Sequence, residues 1–243
     1  MSRGEPQDET TREDGRHTRW DGHRAQRRDN MLRTAINAIE RRGSEIAVAQ
    51  IAAEAGIPRS VVYRLFRNRE DLDEQIRVRI IEDLMSELEP ALNPEGTIRE
   101  AISDAIAVHV GWVSRHPALH QFLGVGAVSP SPGAKIVAGT RTAIAVYLAA
   151  LLDLQLARLG RRAVPAGTAE NVAFGIVGLV DGSVNRWVSR PPELRTSVED
   201  LTEFLCDTVW GTLAGAATRL GIELDPDFSL AGEAEIGTPL DSP

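Results

Sequence analysis

The chain is expected to be all-α: an N-terminal three-helix helix-turn-helix unit followed by a C-terminal helical body. Three observations predict this. Apolar residues recur at helical spacing, and between 98 and 221 no alternation of apolar and polar residues reaches a useful strand length. Prolines and glycines cluster between the periodic stretches, at His116-Pro117, Ser129-Pro130-Ser131-Pro132-Gly133, Val164-Pro165 and Pro191-Pro192, where helices must stop. Residues 50–72 read QIAAEAGIPRSVVYRLFRNREDL, two short helical stretches joined through Gly56 and Pro58.

The elements follow in chain order. Residues 1–15 are polar and acidic and are expected to lack a fold, as part of a 1–23 tail. Charge changes sign at Arg16, and GRHTRWDGHRAQRR carries five arginines around Trp20. This arm, Arg19 included, either enters a narrow minor groove or is a solvated tail whose Trp20 packs on the first helix. A first helix over 24–41 presents Met31, Leu32, Ala35 and Ile39 as a core stripe and ends before Gly43, with Arg27 and Arg28 placed to meet phosphates. A short second helix covers 51–55. Gly56 supplies the positive φ of a tight turn, and Pro58 starts the next helix, where its missing N–H costs nothing.

That third helix, 59–66, turns Val62, Leu65 and Phe66 inward and leaves Arg59, Ser60, Val61, Tyr63 and Arg64 outside. Arginine is the commonest bidentate reader of guanine and a valine packs on a thymine methyl, so this face suits a major groove; the plain alternative is an αα-corner that binds nothing. A fourth helix starts at Glu70 and Asp71, which favour its positive dipole end. Leu72, Ile76, Ile80, Leu84 and Leu88 form its seam, and Pro90, Pro94 and Gly96 end it.

The spacing Met31-Leu32-x2-Ala35, Gly43, Ile51-Ala52-x2-Ala55-Gly56-Ile57, Tyr63-x2-Phe66-x2-Arg69-x2-Leu72 resembles the DNA-binding domain of TetR-family transcriptional regulators. The chain departs from the usual pattern at Ala47, where a capping Thr is common, at Pro58, where a Ser is common, and at Arg69, where a Lys is common. Ala47 can neither accept nor donate, so one cap-and-phosphate contact is lost. The resemblance implies a homodimer that binds a double-stranded DNA operator and answers a small-molecule effector. The DNA-contacting residues are then Arg59, Ser60, Val61, Tyr63, Arg64, Arg69, Arg28 and Arg19.

Composition agrees with this outline. The 243 residues, 42% hydrophobic, bury a core sufficient for one or two domains. A single cysteine, Cys206, excludes a disulfide framework and a cysteine-rich zinc site. No N-terminal apolar run reads as a signal or a span, so a cytoplasmic location without a membrane partner is expected. The net charge of −8 looks wrong for a DNA binder until it is divided by region. From residue 16 to 69 twelve arginines face five acids, an excess of seven, which leaves −15 on the rest: a basic module on an acidic body.

Body helices are expected near 98–114, 117–127, 133–160, 168–190 and 197–221, giving domains at 24–69 and 70–225 and a flexible acidic tail at 226–243. Gly175, Gly178 and Gly182 on one of the last two helices, and Gly211 and Gly215 with Val209 on the other, put small residues on otherwise apolar faces. Glycine inside a helix costs about 1 kcal/mol against alanine, so several together imply that another helix comes close. That helix belongs either to the same subunit or, as the resemblance implies, to the partner of a four-helix dimer interface. His109, Trp112, Phe122, Tyr147, Phe174 and Asp181, with Asn185, supply aromatic walls and polar handles for a mainly apolar effector, although each equally fills a core.

No catalytic pattern emerges. His116 and His120 lie four apart, but Pro117 interrupts the helix between them and no third ligand is indicated, so neither a metal nor a cofactor is expected. GVGAVSPSPG follows no strand and reads as a linker rather than a nucleotide-binding loop. The expected function is a ligand-responsive repressor. Two alternatives stay open on the residues alone: an all-α enzyme acting on an apolar substrate, and a structural DNA-binding protein without an effector.

Overall fold

A computed structural model of the chain describes residues 10–92, 96–125, 132–158 and 164–227. Among these the backbone forms nine α-helices and one 3-10 turn, with no strand, so the expected all-α class holds. The structure divides into two compact units, one from Met1–Ile81 with Ala118–Val137, the other from Glu82–Pro117 with Ala138–Pro243. The expectations for residues 1–9, for the linker around 126–131 and for the tail beyond 227 lie outside the described residues.

The first unit contains α1 (Thr10–Arg42), α2 (Val48–Glu54), α3 (Arg59–Leu65), the first half of α4 (Arg69–Leu92) and most of α6 (Pro117–Val125). Gly43, at φ 93°, closes α1 and donates its N–H to Ile39 O at 2.7 Å. Gly56, at φ 65°, reverses the chain after α2 and donates to Ala53 O at 3.1 Å. A side chain at either position would be strained, which is why glycine stands there. Pro58 sits one residue earlier than expected, at the cap of α3 with extended backbone, and its carbonyl accepts from Val61 N at 2.8 Å. Ala47 caps α2 without a side-chain bond, as its methyl group requires; Gln50 Oε1 instead takes the Ala47 N–H at 2.9 Å.

The core of this unit is the expected stripe. Met31, Ala35 and Ile39 of α1 are buried with Ile51 of α2, Val62 and Phe66 of α3 and its cap, and Leu72, Ile76 and Ile80 of α4. Each large side chain fully withdrawn from water contributes about 1.5–3 kcal/mol, so a face of a few such residues holds α2 and α3, each only seven residues long. Leu65, expected inside, is half-buried.

Two boundaries differ from expectation. The first helix begins at Thr10, not near 24, so the segment read as tail and arm continues α1 as helical backbone. Once the buried turns of α1 exist, extending the helix needs no new nucleus, and composition alone undervalues that continuation. Pro90 does not end α4, which runs on to Leu92. A proline so close to the end removes one hydrogen bond from the last turns only. The division between the units falls at residue 81, inside α4, rather than at 69/70. The first turns of α4 are bonded to α1 and to the α1–α2 loop, as described below.

The second unit contains the rest of α4, α5 (Ile98–Arg115), α7 (Pro132–Arg158, mostly), α8 (Thr168–Val188), the 3-10 turn (Pro192–Leu194) and α9 (Val198–Arg219). Thr97 and Glu100 cap α5 reciprocally: Thr97 Oγ1 accepts from Glu100 N at 3.2 Å and Glu100 Oε2 from Thr97 N at 2.8 Å. Ser197 caps α9 by accepting from Asp200 N at 2.9 Å. α5 packs along α9, and both meet α8, burying Val110, Trp112 and Val113 with Leu201, Leu205 and Val209. Trp187 is buried, its Nε1–H donating to Thr196 O at 2.9 Å beneath the Arg195 guanidinium. Cys206 is half-buried, and burial pushes its thiol up, away from reactivity.

By length and composition α7 could cross a membrane over Val137–Ala157, with mean hydropathy 1.4. It nevertheless carries Arg141, whose Nη2 lies 2.8 Å from Asp181 Oδ1 of α8 within the second unit.

Candidate nucleic-acid interface

α3 is positioned by its own buried edge and by the turn that follows it. Asn68 Oδ1 accepts from Asp71 N at 2.8 Å, and Asp71 Oδ2 accepts from Arg67 N at 2.8 Å, so the α3–α4 turn is closed from both sides. Asp71 Oδ1 takes a third bond from Gln75 Nε2 at 2.8 Å. Gln75 Oε1 in turn accepts from Arg28 Nε of α1. A relay of hydrogen bonds thus runs from α1 through α4 to the residue after the recognition helix.

Asp71 is buried, and the Arg67 N–H holds its carboxyl below the usual carboxylate range, helped by Gln75 and the Arg67 side chain and opposed by burial. A carboxyl depressed by folding contributes stability that is present above its unfolded pKa, about 3.9, and is lost as pH falls through the lower folded value. We expect acid to loosen this turn, and Asp71→Asn to unfold at lower urea at neutral pH, by about 1–3 kcal/mol, while losing part of the acid dependence below pH ~4. Urea titrations at several pH values check this; equal pH dependence in both proteins contradicts it.

The α3 side chains expected outside lie at the surface. Arg59, Ser60, Tyr63 and Arg64 are exposed and Val61 is half-exposed. Arg59 Nη2 donates to Tyr63 Oη at 3.1 Å, with the guanidinium 5.4 Å from the ring centre, so these two present a paired edge. The Arg64 side chain makes no hydrogen bond or ion pair among the described residues, which leaves its guanidinium N–H groups for an outside acceptor.

Other expected contacts are not brought to this face. Arg28 packs its guanidinium 5.2 Å from the Phe66 ring while bonded to Gln75, so it joins α1 to α4. Arg69 donates from Nη1 to Ile46 O at 2.9 Å and from Nε to Asp73 Oδ2 at 2.8 Å, fixing the loop before α2. Both are structural ties rather than free phosphate clamps. Arg19 lies on α1 where only the backbone is described. Arg27, placed with Arg28 to meet phosphates, is the exposed one of the pair. Arg41 and Arg42 are both bound to Glu54 of α2, which consumes part of the arginine excess.

The six effector candidates differ in burial, and one of them belongs to the first unit. Trp112 is core at 2% exposure, and its ring lies 5.3 Å from that of His116. Phe122 is buried in the first unit under Arg77. Tyr147 and Phe174 are exposed, Asp181 is paired with Arg141, and His109 is half-buried. Of the interface candidates, Val209 is buried within its own subunit and belongs to the α5–α9 core. The five glycines behave differently. A Cβ built on Gly175, Gly178, Gly182, Gly211 or Gly215 meets no other atom within 4 Å, so among the described residues no helix of the same chain approaches them.

A helix-turn-helix with an open arginine, serine and tyrosine face, on a chain whose other described elements are helices, is the architecture of a DNA-binding transcriptional regulator. The chain belongs to the TetR family of such regulators. Residues 31–76 match the family described as bacterial regulatory proteins, tetR family. Over 207 residues the chain is 31% identical to an uncharacterized HTH-type transcriptional regulator of Mycobacterium tuberculosis, covering 85% of each. A TetR-family transcriptional regulator from Streptomyces coelicolor shares the fold at TM-score 0.62 and 22% identity, over 81% of this chain and 86% of that one. AibR, solved in complex with isovaleryl coenzyme A and operator DNA, does so at TM-score 0.55 and 17% identity, over 75% and 97%.

Proposed function

We propose that the chain is a homodimeric, cytoplasmic repressor that holds a palindromic operator through two copies of α3 and releases it when a mainly apolar small molecule binds the second unit. The open glycine faces of α8 and α9 carry the dimer reading. Phe204, 58% exposed on α9, stands with Gly211 and Gly215, and an exposed phenylalanine above uncovered glycines is a surface that a second copy would bury. Val146 and Leu154 of α7, also exposed, extend the apolar surface of that unit.

The effector reading has separate support. AibR was solved with an acyl coenzyme A and DNA together, and its fold is shared. In this chain Tyr147 and Phe174 are exposed and His109 is half-buried, which supports them as side chains for an apolar ligand, whereas Trp112 is buried. α4 runs unbroken from the α3–α4 turn to Leu92, so a displacement of its far end is carried to the recognition helix. An effector that weakens operator binding must itself bind the operator complex more weakly, typically by about 1–3 kcal/mol of coupling.

The test is a screen of hydrophobic compounds by thermal shift, followed by operator titration with each hit. We expect hits that lower operator affinity, and we expect Tyr147→Ala to keep DNA binding while reducing that response. Hits that stabilise the protein yet leave operator affinity unchanged contradict the coupling.

A further inference from the structure

Gln75 of α4 stands between two side chains that make opposite demands, all within the first unit. Arg28 of α1 donates from Nε to Gln75 Oε1, and Gln75 Nε2 donates to Asp71 Oδ1 at 2.8 Å. A guanidinium only donates and an ionised carboxylate only accepts, so a primary amide of this length serves both at once. Glutamate would set a second carboxylate against Asp71, lysine would set an ammonium against Arg28, and methionine would bond neither. The two partners then reach the end of the recognition helix from different sides. The Arg28 guanidinium lies 5.2 Å from the ring centre of Phe66, the buried cap of α3, and Asp71 Oδ2 accepts from Arg67 N, the next residue, at 2.8 Å.

The direction of α3 is settled at this end. The helix has seven residues, and its N-cap, Pro58, makes no side-chain bond to it. Of its residues and caps only Val62 and Phe66 are buried, so a helix this short takes its tilt from whatever grips Phe66 and the turn after it. Base edges are read by hydrogen bonds that weaken steeply when misaligned, whereas attraction to phosphates is long-ranged and tolerant of small rotations. A change of tilt is therefore felt by sequence preference before it is felt by general affinity for a duplex.

We infer that Gln75 is a positioning residue for base recognition: by tying Arg28 to Asp71 it sets the tilt of α3, and with it the sequence preference of the protein. The inference rests on α3 as the DNA-reading helix and not on the dimer or the effector. The bridge has a polarity that can be reversed. In a Gln75→Glu, Asp71→Asn double variant the new amide at position 71 accepts from Arg67 N and donates to the new carboxylate at position 75, which still accepts from Arg28 Nε. The bridge keeps each of its bonds and the unit keeps its net charge. Only the outer contact of Arg67 Nη2 with Asp71 Oδ1, at 3.4 Å, is given up.

The test uses the full-length protein and two duplexes of equal length, one enriched from a random pool and one scrambled from it, and reads the ratio of the two affinities. Gln75→Glu and Asp71→Asn are each expected to lower that ratio by about tenfold, and the double variant to restore it to within about threefold of the wild type. If Gln75→Glu does not fold, Gln75→Met, which fills similar space without either bond, reads the same loss. A merely structural role leaves the ratio alone, because a smaller folded fraction weakens both duplexes by the same factor. Folded single variants that keep the wild-type ratio, or a double variant that stays as low as the singles, overturn the proposal. A wild type that prefers neither duplex overturns it as well, through the DNA-reading role of α3 on which it rests.

Discussion

Arg64→Ala is expected to lower affinity for the preferred duplex by about 1–3 kcal/mol per half-site and to relax the preference at one base position. The reason is the contrast among the arginines of this unit. Arg28, Arg41, Arg42, Arg67 and Arg69 all have acceptors within the chain. Arg64 has none among the described residues and stands exposed on α3. A bidentate arginine facing outward from a recognition helix gains its partner only when a base edge arrives. Arg69→Ala should behave otherwise: it removes the bond to Ile46 O, destabilises the unit and weakens every sequence alike. Binding to a panel of single-base variants separates the two. If Arg64→Ala loses the same factor on every duplex, including random sequence, the residue holds a phosphate and does not read a base.

Gly178→Leu and Gly215→Leu are expected to break the dimer without harming the subunit. Within one chain a Cβ at either glycine meets no atom within 4 Å, so a leucine enters open space. Leucine also suits a helix interior better than glycine, by roughly 0.6–1 kcal/mol, so the isolated subunit should be no less stable. Across a dimer interface the same side chain holds two helices apart. Joining two half-site contacts in one particle raises avidity by about 10²–10⁴, and that factor should vanish with the dimer. Sedimentation velocity and operator titration on the same samples decide it. A dimer that persists in both variants places the interface elsewhere, and a subunit that unfolds shows that the glycines serve its own packing.

Much of the architecture could be read from residue order because it rests on local chemistry. Gly43 and Gly56 occupy the two positive-φ turns among the described residues of the first unit. The prolines between helices mark boundaries that the structure keeps within a few residues. The α3 face was legible for the same reason, since period and burial agree over a short helix. What was not legible depends on partners far away in sequence. Arg28 and Arg69 looked like phosphate contacts, yet their acceptors are Gln75, 47 residues on, and Ile46 O, 23 residues back. Val209 and the glycines share a helix, and only packing tells that Val209 faces inward while Gly211 and Gly215 do not. Arg77 sits beside Ile76 in an apolar seam, and nothing local marks it as buried. The effector candidates were least legible, because an aromatic residue on a helix reads the same whether it lines a pocket, fills a core like Trp112 or stands exposed like Tyr147 and Phe174.

The central claim is that two copies of this chain read a symmetric duplex through α3. Its most direct test is selection of the purified full-length protein on a pool of random duplexes, followed by titration of the enriched sequence against salt. The account predicts an inverted repeat with half-sites about one helical turn apart or a little more, bound with an affinity that falls steeply as salt rises. An enriched sequence without two-fold symmetry, or no enrichment at all, would contradict it.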